Sequence, residues 1–446
     1  MKDDFRRAVP ADMLTGKGRV LLSGAAVPAC LLDGGAPQGA AMQPDGSAAV
    51  DLMLEDGRIA AVAASGSLAA EAALDLGGRQ VWPMLVDMHT HLDKGHTMGR
   101  APDSGGTHPG ARDATSADRK AHWTHDDLRR RMEFGLACAE GHGVTAIRTH
   151  LDSHEGQAET TWGAFAETRA AWAERVALQA VALVPLDSYR GGYGERLADL
   201  VAAHGGLMGG VTRAAGGAHG DGLDDIDELL DRLFGLAKAR DLDIDLHVDE
   251  AMKAGALPHV ARAALRHGYE GRVTCGHCCS LALLPEAEMA ETIALVAQAG
   301  ISMVTLPTVN MYLQDRQPGR TPRWRGVMPV AELCAAGVPV AVAGDNCRDP
   351  FYAYGDHDML DTWRQSLRIL HLDHPYGDAP ALAGPVPAKA MGIAAGLIGP
   401  GRDADLAVFE AWSLDQVIAR PQSDRLLVKR GRRSTARPPS YATLGG

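Results

Sequence analysis

No run of apolar residues in this 446-residue chain approaches the roughly 18 that a membrane-spanning helix needs, so no membrane span is expected. Basic charge is not in excess either: 44 Lys and Arg stand against 56 Asp and Glu, a formal net charge of −12. Nucleic-acid binding needs a clustered basic face, and this balance argues against one. The short basic run Lys429, Arg430, Arg432 and Arg433 reads as a solvated tail. Cysteine is sparse: 7 residues, an odd number, are scattered over the length. That argues against a disulfide framework and for a reducing cytoplasm. Lys2, Arg6 and Arg7 near the start are followed by no apolar core, so a secretion signal is not expected. No internal repeat is visible.

The length suits one barrel of about 250–300 residues with a smaller domain beside it. Short strand patterns separated by glycine-rich turns occupy 17–85, most clearly 19–22, 49–54 and 58–63, with Glu55-Asp56-Gly57 as a hairpin signal. The pattern returns at 405–409 and 425–429, after Gly401-Arg402-Asp403. A small β-sandwich domain built from both chain ends, 1–85 and 390–446, is the economical reading. Between them strands alternate with helices. Near-continuous apolar runs at 86–91, 144–150, 177–185, 207–211, 244–249, 272–277, 302–307 and 338–345 read as eight parallel strands buried on both faces. Ile226, Leu229, Leu230 and Leu233 share one helical face, and Thr124 with Asp127 opens another helix that Gly141 and Gly143 end. The predicted class is α/β, a (β/α)8 TIM barrel over 86–389, with a doubly wound sheet as the alternative. Residues 99–122, rich in Gly, Pro, Ser and Asp, read as a long loop and a candidate lid.

Polar residues gather where the predicted strands end. His89 and His91 lie two apart on the first strand, so both imidazoles point the same way. His247 ends the fifth strand, His277 the sixth and Asp345 the eighth, and Glu250 follows His247 by three residues. Any one of them is more easily a satisfied core histidine or a capping carboxylate. Several at one end of consecutive barrel units are what a catalytic face looks like. His89, His91, His247 and Asp345 offer three nitrogens and an oxygen to one divalent metal, with a position left for water. Such an ion lowers the pKa of water to about 7. Glu250 is placed to shuttle a proton, and His277 to hydrogen-bond the water or a developing oxyanion. Asp345 counts as both ligand and catalytic group. Cys275, Cys278 and Cys279 surround His277, but no second C-x-x-C pair exists to complete a structural zinc site, and buried thiols are expected. The H-x-E…P-C-x-x-C signature of the cytidine-deaminase type is missing.

In order through about 80–390, the chain carries His89-Thr90-His91-Leu92-Asp93, Arg148-Thr149-His150-Leu151-Asp152, His247-Val248-Asp249-Glu250, Gly276-His277, Val309-Asn310-Met311-Tyr312-Leu313-Gln314, Arg325-Gly326 and Gly344-Asp345 with Asp349-Pro350. This ordered set resembles the bacterial cytosine deaminase group of the amidohydrolase superfamily, and Gly401 to Leu406 resembles the superfamily's return into its β domain. The resemblance implies one Zn(II) or Fe(II) per chain and hydrolytic loss of ammonia or an amine from a nitrogen heterocycle. His89, His91, His247 and Asp345 carry over as ligands, and Glu250 and His277 as catalytic groups. Binuclear relatives bridge two metals with a lysine on strand four; 207–211 has none, and Lys94 reads as solvated or loop-anchoring. A mononuclear site favours deamination.

Three departures concern the substrate. Leu186 stands where cytosine deaminases place a glutamine, Asn346 where they place a second aspartate, and Phe351 where they place a tryptophan. Asp187 is an alternative acceptor for an N–H or a cationic amine. Cytosine is therefore not expected to be the best substrate. The partners expected are a small heterocycle and water, without nucleic acid or membrane; a homo-oligomer is left open. Alternatives are a cyclic amidase or N-alkylamine hydrolase on the same site, or a non-catalytic metal-binding barrel.

Overall fold

Asp56 and Gly57 both hold positive φ, 47° and 84°, as a two-residue hairpin turn demands. They join β2 (Ser47–Glu55) to β3 (Arg58–Ala64). With β1 (Arg19–Pro28) and β4 (Ala73–Asp75) these form a four-stranded sheet in the order β3-β2-β1-β4, and β5 (Val81–Pro83) follows. The computed structural model describes residues 9–10, 13–217, 223–252 and 255–444. The segment bearing Lys2, Arg6 and Arg7 lies outside the described residues. Two compact units divide the chain: Met1–Val86 with Ala139–Ala146 and Asp358–Pro438, and Asp87–Cys138 with Ile147–His357 and Pro439–Gly446.

The eight apolar runs expected to be strands all are strands. They are β6 (Leu85–Thr90), β7 (Val144–Asp152), β8 (Ala177–Leu183), β9 (Met208–Val211), β10 (Ile244–Val248), β11 (Val273–His277), β12 (Ser302–Thr305) and β13 (Val340–Val342). Strands β9 to β13 form one parallel sheet in sequence order, and β6, β7 and β8 another sheet. Isolated parallel bridges pair Thr90 with Asp345, Val181 with Leu207 and Pro185 with Val211. The last strand is shorter than its apolar run, although Asp345, whose φ is 61°, is still bridged to Thr90.

Between strands, Ile226–Lys238 buries Leu229, Leu230, Leu233 and Phe234 along one face. In His125–Gly141 the Thr124 hydroxyl accepts from the Asp127 N–H at 3.2 Å. The expected long loop at 99–122 is only half a loop: His108–His122 is a helix. Thr107 caps it by accepting from the Gly110 N–H, Pro109 sits in its first turn, and Ala111, Ala114, Thr115 and Asp118 are its buried face. Arg100 fastens it by bridging Asp118 and Asp127 at 2.8 and 2.6 Å.

The C-terminal return gives β14 (Leu406–Val408), β15 (Leu426–Lys429) and β16 (Arg432–Arg433), ordered β16-β15-β14-β5, so strands from both chain ends share one sheet. The basic run expected to be a solvated tail is therefore partly strand. Lys429 is tied to Asp405 and to the Thr145 hydroxyl. Trp82 of β5 packs edge-on to Trp363 at 4.8 Å and to Phe409 at 5.6 Å.

Deep among the strands, Arg148 of β7 donates to Asp245 of β10 at 3.0 Å, with both groups buried. Removing one partner of such a pair strands the other charge without water. Asp245→Ala is therefore expected to cost about 3–5 kcal/mol in urea unfolding, and a loss below about 1 kcal/mol, the scale of an exposed pair, would show that Arg148 does not depend on it.

Candidate metal centre

His89 lies on β6, His91 immediately past its end, His247 on β10 and Asp345 three residues past β13. The Nε2 of His247 is 3.3 Å from that of His89 and 3.3 Å from that of His91. Asp345 Oδ1 is 3.1 Å from His91 Nε2 and 3.7 Å from His89 Nε2. Donors about 2.0–2.1 Å from a tetrahedral ion sit about 3.3–3.4 Å from one another, so the spacing fits one ion within all four. Burial holds His89 and His247 well below the usual histidine range and His91 down to about 4; the neutral ring is the form that binds metal. Burial pushes the Asp345 carboxyl up to about 7, and neither of its oxygens has a hydrogen-bond partner among the described residues. A divalent ion fits the donor set.

The sequence around the donors explains how they come so close. A Cβ at Gly276 would stand 2.7 Å from the His89 ring, so only glycine lets β11 pass there. The Asp87 carboxylate accepts from the N–H groups of His89 at 3.3 Å and Gly344 at 3.1 Å, joining the segments that carry two of the donors. His150, buried on β7, stacks on His89 with ring centres 4.0 Å apart.

Glu250 and His277 stand beside the donors. Glu250 Oε1 is 3.4 Å from His277 Nδ1 and accepts from Asn310 Nδ2 at 3.3 Å; its Oε2 is 3.4 Å from His108 Nε2. Asn310 Nδ2 is also 3.0 Å from His277 Nδ1. With Asn310 donating there, the His277 proton lies on Nε2, an atom with no partner among the described residues and so available to donate. His277 holds a left-handed φ of 69°, as Asp345 does, and such outliers gather at functional sites.

Residues 111–435 match the amidohydrolase family profile. The chain belongs to the amidohydrolase family. It is 46% identical over 431 residues to a pterin deaminase of Rhizobium rhizogenes, covering 96% of each chain. It is 27% identical over 372 residues to an N-isopropylammelide isopropyl amidohydrolase of Pseudomonas, covering 80% of this chain and 87% of that one. Among solved structures, a 5-methylcytosine deaminase of Klebsiella pneumoniae bound to 5-fluorocytosine superposes with a TM-score of 0.79 at 25% identity, over 95% of this chain and 98% of that one. The fold is accordingly TIM-barrel-like α/β.

In this amidohydrolase a cavity of about 350 Å³ opens onto the donors, with His91, His247, Glu250, His277 and Asp345 in its wall. Asn346 and Phe351 line it as expected, although one Asn346 amide donor is already given to Asp349 at 2.8 Å. Leu186 and Asp187 do not line it. Leu186 is fully buried, and Asp187 accepts from the Ala215 N–H at 3.0 Å. The turn Leu186–Arg190 leaves both outside the lining, and Pro185 and Ser188 face the cavity instead. Lys94 is not solvated: it is buried and donates to Asp152 at 2.7 Å. The helix His108–His122 supplies a wall through His108, Arg112 and Arg119, and Arg213 follows β9 into the same space. None of these was found from sequence. Thr107-His108-Pro109 is a helix-start signal that marks the wall.

Proposed function

We propose that this amidohydrolase is a metal-dependent deaminase acting on a pterin ring. The observation that carries the reading is that three of the four clustered metal donors, His91, His247 and Asp345, border one cavity together with Glu250 and His277. The near-full-length likeness to a pterin deaminase supports that ring over other aminated heterocycles. His89, His91, His247 and Asp345 would hold one Zn(II) or Fe(II) per chain, which when bound supplies a Lewis acid and acidifies water.

The remaining work belongs to side chains. Glu250 takes a proton from the attacking water as its oxygen bonds to the carbon that bears the amino group. Glu250 gives that proton to the ring nitrogen beside the carbon and then carries the remaining hydroxyl proton to the amine; the carbon–nitrogen bond breaks, and ammonia leaves a ring carbonyl next to a ring N–H. His277 donates through Nε2 to the oxygen side of the adduct, and Asn310 positions both groups. Phe351 offers an aromatic face to a flat ring.

The two sheets of the first unit support reading them as the small sandwich domain of 1–85 and 390–446, with 86–389 as the hydrolase domain. The isolated bridges support a closed barrel. The compartment proposed is the cytoplasm, supported by 7 cysteines that are all free; among the described residues no helix is long and apolar enough to cross a membrane.

Ammonia release from aminated pyrimidines, purines, triazines and pterins tests the assignment. Pterin is expected to yield one ammonia per ring with kcat/KM of about 10⁴ M⁻¹s⁻¹ or more, at least about tenfold above cytosine. Cytosine is still expected to be the poorer substrate, though not because of Leu186. A faster reaction with cytosine, or isopropylamine released from N-isopropylammelide in preference to ammonia from pterin, would move the assignment to that substrate.

A further inference from the structure

Two cations of the cavity share an anion. Lys94 is bonded to Asp152 at 2.7 Å, and Arg119 lies 3.6 Å from the same carboxylate. Arg112 and Arg213 are different. Arg112 comes from the second turn of the helix His108–His122, and Arg213 lies two residues past the end of β9, so unrelated elements bring them to one cavity. Arg112 donates to the carbonyl of Gly217, and Arg213 to that of Ala214 at 3.2 Å. The Nε of each is buried with no partner, and neither guanidinium is paired with a carboxylate among the described residues.

The two like charges feel each other. Burial, and then the nearby Arg112, pull Arg213 down to about 10, against the weaker opposing pull of Asp152, Glu250 and Asp187. Two guanidiniums, half-sheltered from water and facing one space without a counter-ion, cost stability unless something anionic joins them. Planar N–H forks are suited to carboxylate and phosphate oxygens.

We propose that Arg112 and Arg213 form an anion subsite of the substrate cavity, which takes an acidic substituent carried by the heterocycle away from its reacting amine. This rests on the pterin deaminase reading and deepens it: the preferred substrates are pterins bearing a carboxylate or a phosphate ester, not the unsubstituted ring. Binding through two charge-assisted contacts is worth about ten- to a hundredfold in selectivity.

The test compares pterin, pterin-6-carboxylate and a phosphate ester of a hydroxyalkyl pterin on the metal-loaded protein. Turnover gives kcat and KM, and calorimetry gives affinity. An acidic pterin is expected to show a kcat/KM at least about tenfold above pterin, and added salt should narrow the gap. Which acid gains more tells carboxylate from phosphate. Arg112→Gln and Arg213→Gln should each cut the ratio of acidic to neutral kcat/KM about tenfold or more, and Arg213→Lys should restore part of it. A ratio near one in the parent protein, or an unchanged ratio in both Gln variants, overturns the subsite. Calorimetry separates the two ideas. Preferential binding of the acidic pterins with no turnover of any pterin sinks the deaminase reading and leaves the subsite standing. Turnover of pterin with no preference for the acids, or no binding of the acids, does the reverse.

Discussion

Glu250→Gln is expected to lower kcat by about 10²–10⁴-fold while the protein keeps its fold and its metal. The amide has the shape of the acid and can still accept from Asn310 at the 3.3 Å contact, so positioning is preserved. What is lost is the proton: an amide neither takes one from water nor returns it to a departing amine. KM should change far less than kcat, because the carboxylate acts in the transition state and not in holding the ring. Stopped-flow turnover with metal analysis of the same sample checks the point. Turnover within threefold of the parent, with metal intact, removes Glu250 from the mechanism.

His247→Ala is expected to abolish both metal retention and turnover. His247 Nε2 is 3.3 Å from each of the other two histidine donors, so its loss opens the ligand set at its middle. The parent protein should carry about one metal ion per chain by elemental analysis. An ion present at a thousand times its dissociation constant stabilises the folded state by about 4 kcal/mol, so the variant and the chelated parent should melt earlier, and by similar amounts. His89→Ala and Asp345→Ala should behave alike. Two tightly bound ions per chain in the parent would overturn the mononuclear assignment.

The parallel strands and the candidate donors were legible in sequence for the same reason. A strand covered on both faces is rich in apolar residues, so β8 and β13 are visible as runs, and a histidine or aspartate near the end of such a segment stands out. The wall of the cavity was not legible. His108–His122 buries Ala111, Ala114, Thr115 and Asp118, residues too small or too polar to mark a helical face. Lys94 read as solvated or loop-anchoring, and its buried bond to Asp152, 58 residues away, was not visible in sequence. Leu186 and Asp187 were assigned to the substrate by position after Pro185, but a tight turn decides which way their side chains leave the strand, and nothing in the order of residues fixes that. Arg112 and Arg213 stand a hundred residues apart and meet only through the fold.

The donors are also far apart along the chain: His89 and His247 are separated by 158 residues, and Asp345 comes later still. A polypeptide emerging from the ribosome therefore owns only part of the ligand set until residue 345 has been made and the strands that carry the donors have closed over long loops, a slow class of contact. On the proposed ligand set, no ion could meet all four donors before that point.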